Sequence, residues 1–329
     1  MRHVRMLGLC LVAVFAVAAI AATSASALPE WGQCYLKGAG GKYTDSNCQH
    51  KSSKKSPGEY EWRKNPEVPQ AEKEFEGENA GSGGVLAARF FFCNNAETEL
   101  PEFRVTRQTC AEHKGEMVMT GNELTECERE EDHGEAAGTK EVKSVSVKFG
   151  GCKLFGSLPC SNGPNEGEIQ VNPLKGSLGY ISKSPKEVGV LLTPEQNKGE
   201  FARFNCGGFY IIGVGAGNNK LGSFYLTSGC YGACPGATPE EEKHGGYDGV
   251  ISPITPINTM STEFTQTFTI NSENDENIPS RFEGKHIDLL EAYLENAAHP
   301  GIGDGWGAAG EAITSVNHES AGHPAEIKA

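Results

Sequence analysis

Thr262-Glu263-Phe264-Thr265-Gln266-Thr267-Phe268-Thr269-Ile270 puts Phe264, Phe268 and Ile270 on one face of an extended chain, and Glu263, Thr265, Thr267 and Thr269 on the other. A period of two in β-branched and aromatic residues makes a strand with one dry and one wet face. Such a strand suits the centre of a sheet. The segment 142–149 repeats the pattern, with Val145, Val147 and Phe149 alternating against Ser144, Ser146 and Lys148. Shorter runs at 89–93, 103–106, 116–120, 167–171, 179–181, 188–192, 201–206 and 209–214 continue the theme, with Pro173, Pro185 and Pro194 as breaks. Residues 287–295 fit helical and strand spacing equally, since Ile287, Leu290 and Leu294 recur at three and four.

Composition agrees with many short elements. The 329 residues include 42 Gly and 17 Pro, and 37% are apolar, which favours turns over long helices. Near the N-terminus, Arg2 and Arg5 precede an apolar run from Leu7 to Ala22, and Ala25-Ser26-Ala27 supplies small residues for cleavage. Residues 1–27 are therefore expected to be a signal peptide, with the mature chain starting at Leu28. Loss of Cys10 would leave ten of the eleven cysteines, an even number in a chain bound for an oxidising space.

The net charge is −14 for the whole chain and −16 once the two leader arginines are gone. So acidic a surface repels nucleic acid and anionic membranes. No second apolar run approaches the length of a membrane span, and the expectation is a secreted, extracellular protein without one. The sequence leaves its oligomeric state open.

Residues 28–65 read as a small N-terminal hairpin module stapled by a disulfide between Cys34 and Cys48, which flank a Gly38-Ala39-Gly40-Gly41 turn. Residues 66–84, acidic and ending in Gly81-Ser82-Gly83-Gly84, read as a linker. The expected fold is all-β: an antiparallel sandwich or barrel-like body over residues 85–329, preceded by the hairpin module. Cys152 and Cys160, close in sequence, are expected to pair, and Cys230 with Cys234 is read as structural disulfide chemistry.

The N-terminal Leu28-Pro29-Glu30-Trp31-Gly32 and Gly41-Lys42-Tyr43-Thr44-Asp45-Ser46-Asn47-Cys48 recur with Asn172-Pro173-Leu174-Lys175-Gly176, Leu178-Gly179-Tyr180-Ile181, Cys206-Gly207-Gly208, Asn258-Thr259-Met260-Ser261-Thr262 and the Glu326-Ile327-Lys328 end. In these stretches the chain resembles a large group of uncharacterised secreted proteins of soil actinobacteria. The resemblance implies a secreted β-rich protein and carries over no activity and no catalytic residue. The chain departs from that pattern at 229–249, around Cys230 and Cys234, in what resembles an insertion.

Catalytic motifs are scarce. No Gly-x-Ser-x-Gly elbow occurs, and His318-Glu319-Ser320-Ala321-Gly322-His323 has the wrong spacing for a zinc helix and reads as exposed tail histidines. Gly213-Val214-Gly215-Ala216-Gly217 lacks the third glycine of a dinucleotide loop and reads as a hairpin turn, while 271–277 and 126–131 read as solvated acidic segments. No cofactor, metal site or catalytic residue is expected. The leading expectation is a non-catalytic role outside the cell or at its envelope. Trp31, Tyr43, Tyr60 and Trp62, clustered in one short module, offer an alternative, a polysaccharide-binding face of stacked aromatics. A third possibility is a secreted hydrolase whose carboxylates meet only in space.

Overall fold

The computed structural model describes residues 29–64, 74–79, 84–88, 90–92, 117–119, 125–195, 200–216, 249–270, 277–279, 281–286, 290–296, 305–319 and 324–329. Among these there is no helix, and the chain is all-β. The N-terminal strands are β1 (Glu30–Gly41), β2 (Gly58–Lys64), β3 (Glu74–Asn79), β4 (Gly84–Ala88), β5 (Phe90–Phe92) and β6 (Met117–Met119). There follow β7 (Thr125–Cys127), β8 (Arg129–Ala136), β9 (Glu141–Gly150), β10 (Lys153–Leu154), β11 (Leu158–Ser161) and β12 (Ile169–Gln170). Next come β13 (Leu174–Lys183), β14 (Lys186–Pro194), β15 (Glu200–Cys206), β16 (Tyr210–Ala216), β17 (Val250–Thr255) and β18 (Glu263–Ile270). The last are β19 (Asn277–Ile278), β20 (Arg281–Phe282), β21 (Lys285–His286), β22 (Leu290–Asn296), β23 (Gly305–Glu319) and β24 (Ala325–Lys328).

The pairings close. β3, β8, β9, β13, β14, β17, β18 and β23 form an antiparallel ring of eight in which β23 returns to β3. A second run of antiparallel pairings leaves β23 through β22, β16, β15, β11, β10, β7 and β4 and also comes back to it. β23 is common to both because its first half, Gly305 to Ala312, pairs with β22 and β4, while Ile313 to Glu319 pairs with β18 and β3. Each strand of the first ring is thus paired on both sides, and a ring of eight encloses a space that side chains fill or a small ligand shares.

Strand β18 lies between β17 and β23, as its alternation requires. Its Phe264 is buried beside Val142, Val145, Leu174, Val190 and Ile254, contributed by β9, β13, β14 and β17. Of the ambiguous segment 287–295, residues 290–295 are extended in β22, and 287–289 lie outside the described residues.

Several expectations need correction. Residues 66–84, expected to be a linker, contain β3, paired on both sides between β8 and β23. Its Glu74, Glu76 and Glu78 are exposed while Phe75, Gly77 and Asn79 turn inward, so the acidic composition hides a strand with one wet face. The acidic segment 126–131 falls in β7 and β8, and Glu130 is 4% exposed. Gly213, Val214, Gly215 and Ala216 are strand residues of β16, not a turn. His318 is the register partner of Glu263 and Glu76 near the end of β23, not part of a loose tail.

The hairpin of β1 and β2 forms, with a disulfide between Cys34 and Cys48 and a register shift between Leu36 and Gly41 where Gly38 and Gly40 take φ of +85° and +88°. It is not a separate body. β24 pairs with β1 on the side opposite β2, so residues from the two ends of the chain share one three-stranded sheet. Trp31, Ile327 and Ala329 of that sheet pack into the same core cluster as the first ring. The sheet is further tied down by Trp31 N donating to Thr139 O at 2.8 Å and Asn258 N donating to Ile327 O at 2.7 Å.

Cys152 and Cys160 are both in disulfides, though not with each other. Cys160 stands opposite Cys206 in the register of β11 with β15 and bonds to it, and Cys152 bonds to Cys127 at the end of β7. The separation in sequence is overruled by which strand lies alongside. Cys230 and Cys234 lie outside the described residues, as do residues 1–27, read in the sequence as a signal peptide, and residues 271–276 of the acidic segment.

Candidate functional site

The period-two alternation of β8 directs Glu130, Asp132 and Ala136 into the first ring and Glu131 and His133 outward. The interior they reach holds a cavity of about 130 Å³. Most of its wall is apolar, from Val142, Val145, Leu174, Val190, Ile254 and Phe264, and Phe204 and Val214 extend it toward the second ring. Glu130, Asp132, Thr125, Gln266, Ser315 and Asn317 supply the polar part, and no Lys, Arg or His lines it among the described residues.

Hydrogen bonds across this wall run in one direction. Ser252 Oγ donates to Gln266 Oε1 at 2.7 Å, and Gln266 Nε2 donates to Asn317 Oδ1 at 2.6 Å. Asn317 Nδ2 then donates to Asp132 Oδ2 at 3.0 Å, and Ser315 Oγ donates to the same oxygen at 2.7 Å. Ser252, Ser315 and Asn317 are buried. The Glu130 side chain lies against Asp132 as well and helps hold its carboxyl down. Asp132 is thus the terminal acceptor of a chain that crosses from β17 through β18 and β23 to β8. Burial pushes its carboxyl above the usual aspartate range, against the hydrogen bonds from Ser315, Glu130 and Asn317 and the charge of His133, which pull it down.

Gly77 of β3 keeps the site clear, because a Cβ there would run into the Asp132 carboxylate and the Asn317 amide. Two buried polar atoms of residues on the cavity wall have no hydrogen-bond partner, Thr125 Oγ1 and Trp31 Nε1. A buried donor or acceptor left unpaired costs about 1–3 kcal/mol.

The aromatics singled out in the sequence are divided. Trp31 is buried, edge-on to Phe264, and is closed to a sugar ring. Trp62 and Tyr43 do come together, around Lys328, whose ammonium lies 3.9 Å from the Trp62 ring centre and 5.9 Å from that of Tyr43. Tyr60, half-buried, stands opposite Leu36 on β1 and bridges to Tyr43. Lys328 thus occupies the face a ligand would stack on.

Sequence reasoning missed Glu130 and Asp132. The run Glu128-Arg129-Glu130-Glu131-Asp132-His133 has no apolar residue, so hydrophobic periodicity carries no signal in it. No protein-family model, curated protein or solved structure matches this chain.

Proposed function

We propose that this is a secreted, non-catalytic binding protein whose first ring takes up a small, largely apolar molecule. The observation that carries this is the cavity of about 130 Å³ inside a closed eight-stranded ring, walled by buried Val, Leu, Ile and Phe. Apolar cavities near 150 Å³ stay dry and admit a molecule the size of benzene. Export is supported by the leader-like residues 1–27 and by the three disulfides among the described residues, bonds that persist in oxidising compartments.

The carboxyl pair gives hydrolysis little support. Glycosidase carboxyls stand about 5 Å or more apart to admit the sugar and a water, whereas the Glu130 side chain lies against Asp132. A space of about 130 Å³ holds neither a sugar chain nor a peptide.

Toluene titrated into the purified protein is expected to raise its melting temperature and to give a saturable binding isotherm. Val190→Phe, which fills the cavity from β14, is expected to abolish both, and the milder Val145→Ile to weaken them. No stabilisation by toluene at its solubility limit would overturn the proposal.

A further inference from the structure

Charge is distributed unevenly along this chain. Residues 28–65 hold seven Lys and Arg against four Asp and Glu, whereas residues 66–329 hold 20 against 39. The N-terminal hairpin is thus the cationic end of an acidic protein. At physiological ionic strength charges are screened beyond about 8 Å, so an anion close to that end meets the local charge and not that of the whole chain.

Three of the four acids in the hairpin are occupied. Glu30 pairs with Lys64 at 2.9 Å, and Glu61 takes both Lys37 at 2.7 Å and Lys42 at 2.8 Å. The Asp45 carboxylate accepts from the backbone N–H groups of Asn47, Gln49 and His50. Lys51, Lys54 and Lys55 are exposed, and none of them has an acidic partner among the described residues.

A fixed backbone carries these three ammonium groups. Ser53 N donates to Ser56 O at 2.8 Å and Ser56 N to Ser53 O at 3.2 Å, which closes a two-residue turn centred on Lys54-Lys55. Ser53 Oγ accepts from Ser56 N as well, at 3.2 Å. Lys51 bridges to Tyr43, and on either side Ser52 N donates to Lys42 O and Thr44 N to His50 O, both at 2.8 Å. The disulfide from Cys48 to Cys34 ties this loop to β1. A loop already ordered in this way loses little freedom when it binds.

We propose that this turn is the docking point for an anionic polysaccharide that carries carboxylates along its length. Lysine acts on an anion as a point charge. Thr44, Gln49, Ser53 and Ser56, exposed around the lysines, offer hydroxyl and amide groups to sugar hydroxyls. Nucleic acid fits less well, because three lysines neutralise few phosphates and Tyr43, the aromatic beside Lys51, faces Lys328 and is not open to a stacking base. An anionic bilayer also fits less well, since residues 42–58 expose no large apolar side chain to enter it.

Calorimetric titration of the full-length protein with alginate, a polyuronate, is the test, with neutral dextran, double-stranded DNA and phosphatidylglycerol vesicles alongside. Alginate is expected to bind and dextran not, and the alginate affinity should fall at least about tenfold between about 50 and 200 mM salt, as counterion release from about three contacts requires. Lys51→Gln, Lys54→Gln and Lys55→Gln together should abolish binding with the melting temperature unchanged, whereas Arg at the same three positions should retain it. Lys153→Gln, Lys175→Gln and Lys183→Gln together, on β10 and β13, should leave it intact. Absence of alginate binding, equal binding of dextran, or equal losses in the two Gln variants would overturn the proposal. Tighter binding of DNA or of the vesicles than of alginate would overturn it in favour of that partner.

Discussion

Trp31 of β1 meets Phe264 of β18 edge to face, with ring centres 5.4 Å apart and planes at 80°. Through this contact a strand from the start of the described chain packs into the interior of the first ring. Trp31→Ala is expected to destabilise the protein by about 3–5 kcal/mol, the usual range for a deleted core tryptophan, measured by urea denaturation. A loss below about 1 kcal/mol would show that the N-terminal sheet is not integrated with the ring.

A non-reducing peptide map should recover Cys34 with Cys48, Cys127 with Cys152 and Cys160 with Cys206. On the chain-entropy estimate, replacing both members of the Cys160–Cys206 pair by Ala removes about 4 kcal/mol, and of the Cys34–Cys48 pair about 3 kcal/mol. A peptide joining Cys152 to Cys160 would contradict the pairing of β11 with β15.

Asp132 has a sign that distinguishes it from ordinary surface acids. Its folded pKa lies above the unfolded value, so its contribution is fully present below the unfolded pKa and is lost as pH rises through the folded one. Asp132→Asn should therefore flatten the fall in stability from mildly acidic to neutral pH, read as the urea midpoint at several pH values. An unchanged profile would place the carboxyl in water.

Glu61 has the opposite sign. Hydrogen bonds from Lys37, Lys42 and Tyr35 hold its carboxyl down at about 2. Its contribution is present above the ordinary glutamate range and is lost as pH falls toward 2. Backbone amides of β1 and β2 should then exchange faster in acid in the wild type, with a smaller change in Glu61→Gln. Equal acceleration in both would contradict the assignment.

What was legible in the sequence follows from where hydrophobic contrast exists. Glu263–Ile270 and Glu141–Gly150 announce themselves because apolar and polar residues alternate along them. Cys34 and Cys48 are legible as a short staple, although Gly38 to Gly41 between them form an irregular end of β1 and not the expected turn. Glu74–Asn79 and Arg129–Ala136 are not, because their inward residues include Gly77, Glu130, Asp132 and Gly134, which no hydropathy pattern marks as buried. Gly305–Glu319 is rich in Gly and Ala and escapes for the same reason, although it is the strand on which both rings depend. The polar part of the cavity wall is thus made of residues that only the ring closure brings inside.

The most direct test of the ring and its interior is a crystal structure of the protein under xenon pressure. Anomalous density is predicted inside the first ring, bounded by Phe264, Val190 and Ile254 and adjoining the Asp132 carboxyl. Side chains packed through that space with no xenon, or an open sheet in which β23 does not return to β3, would contradict the account.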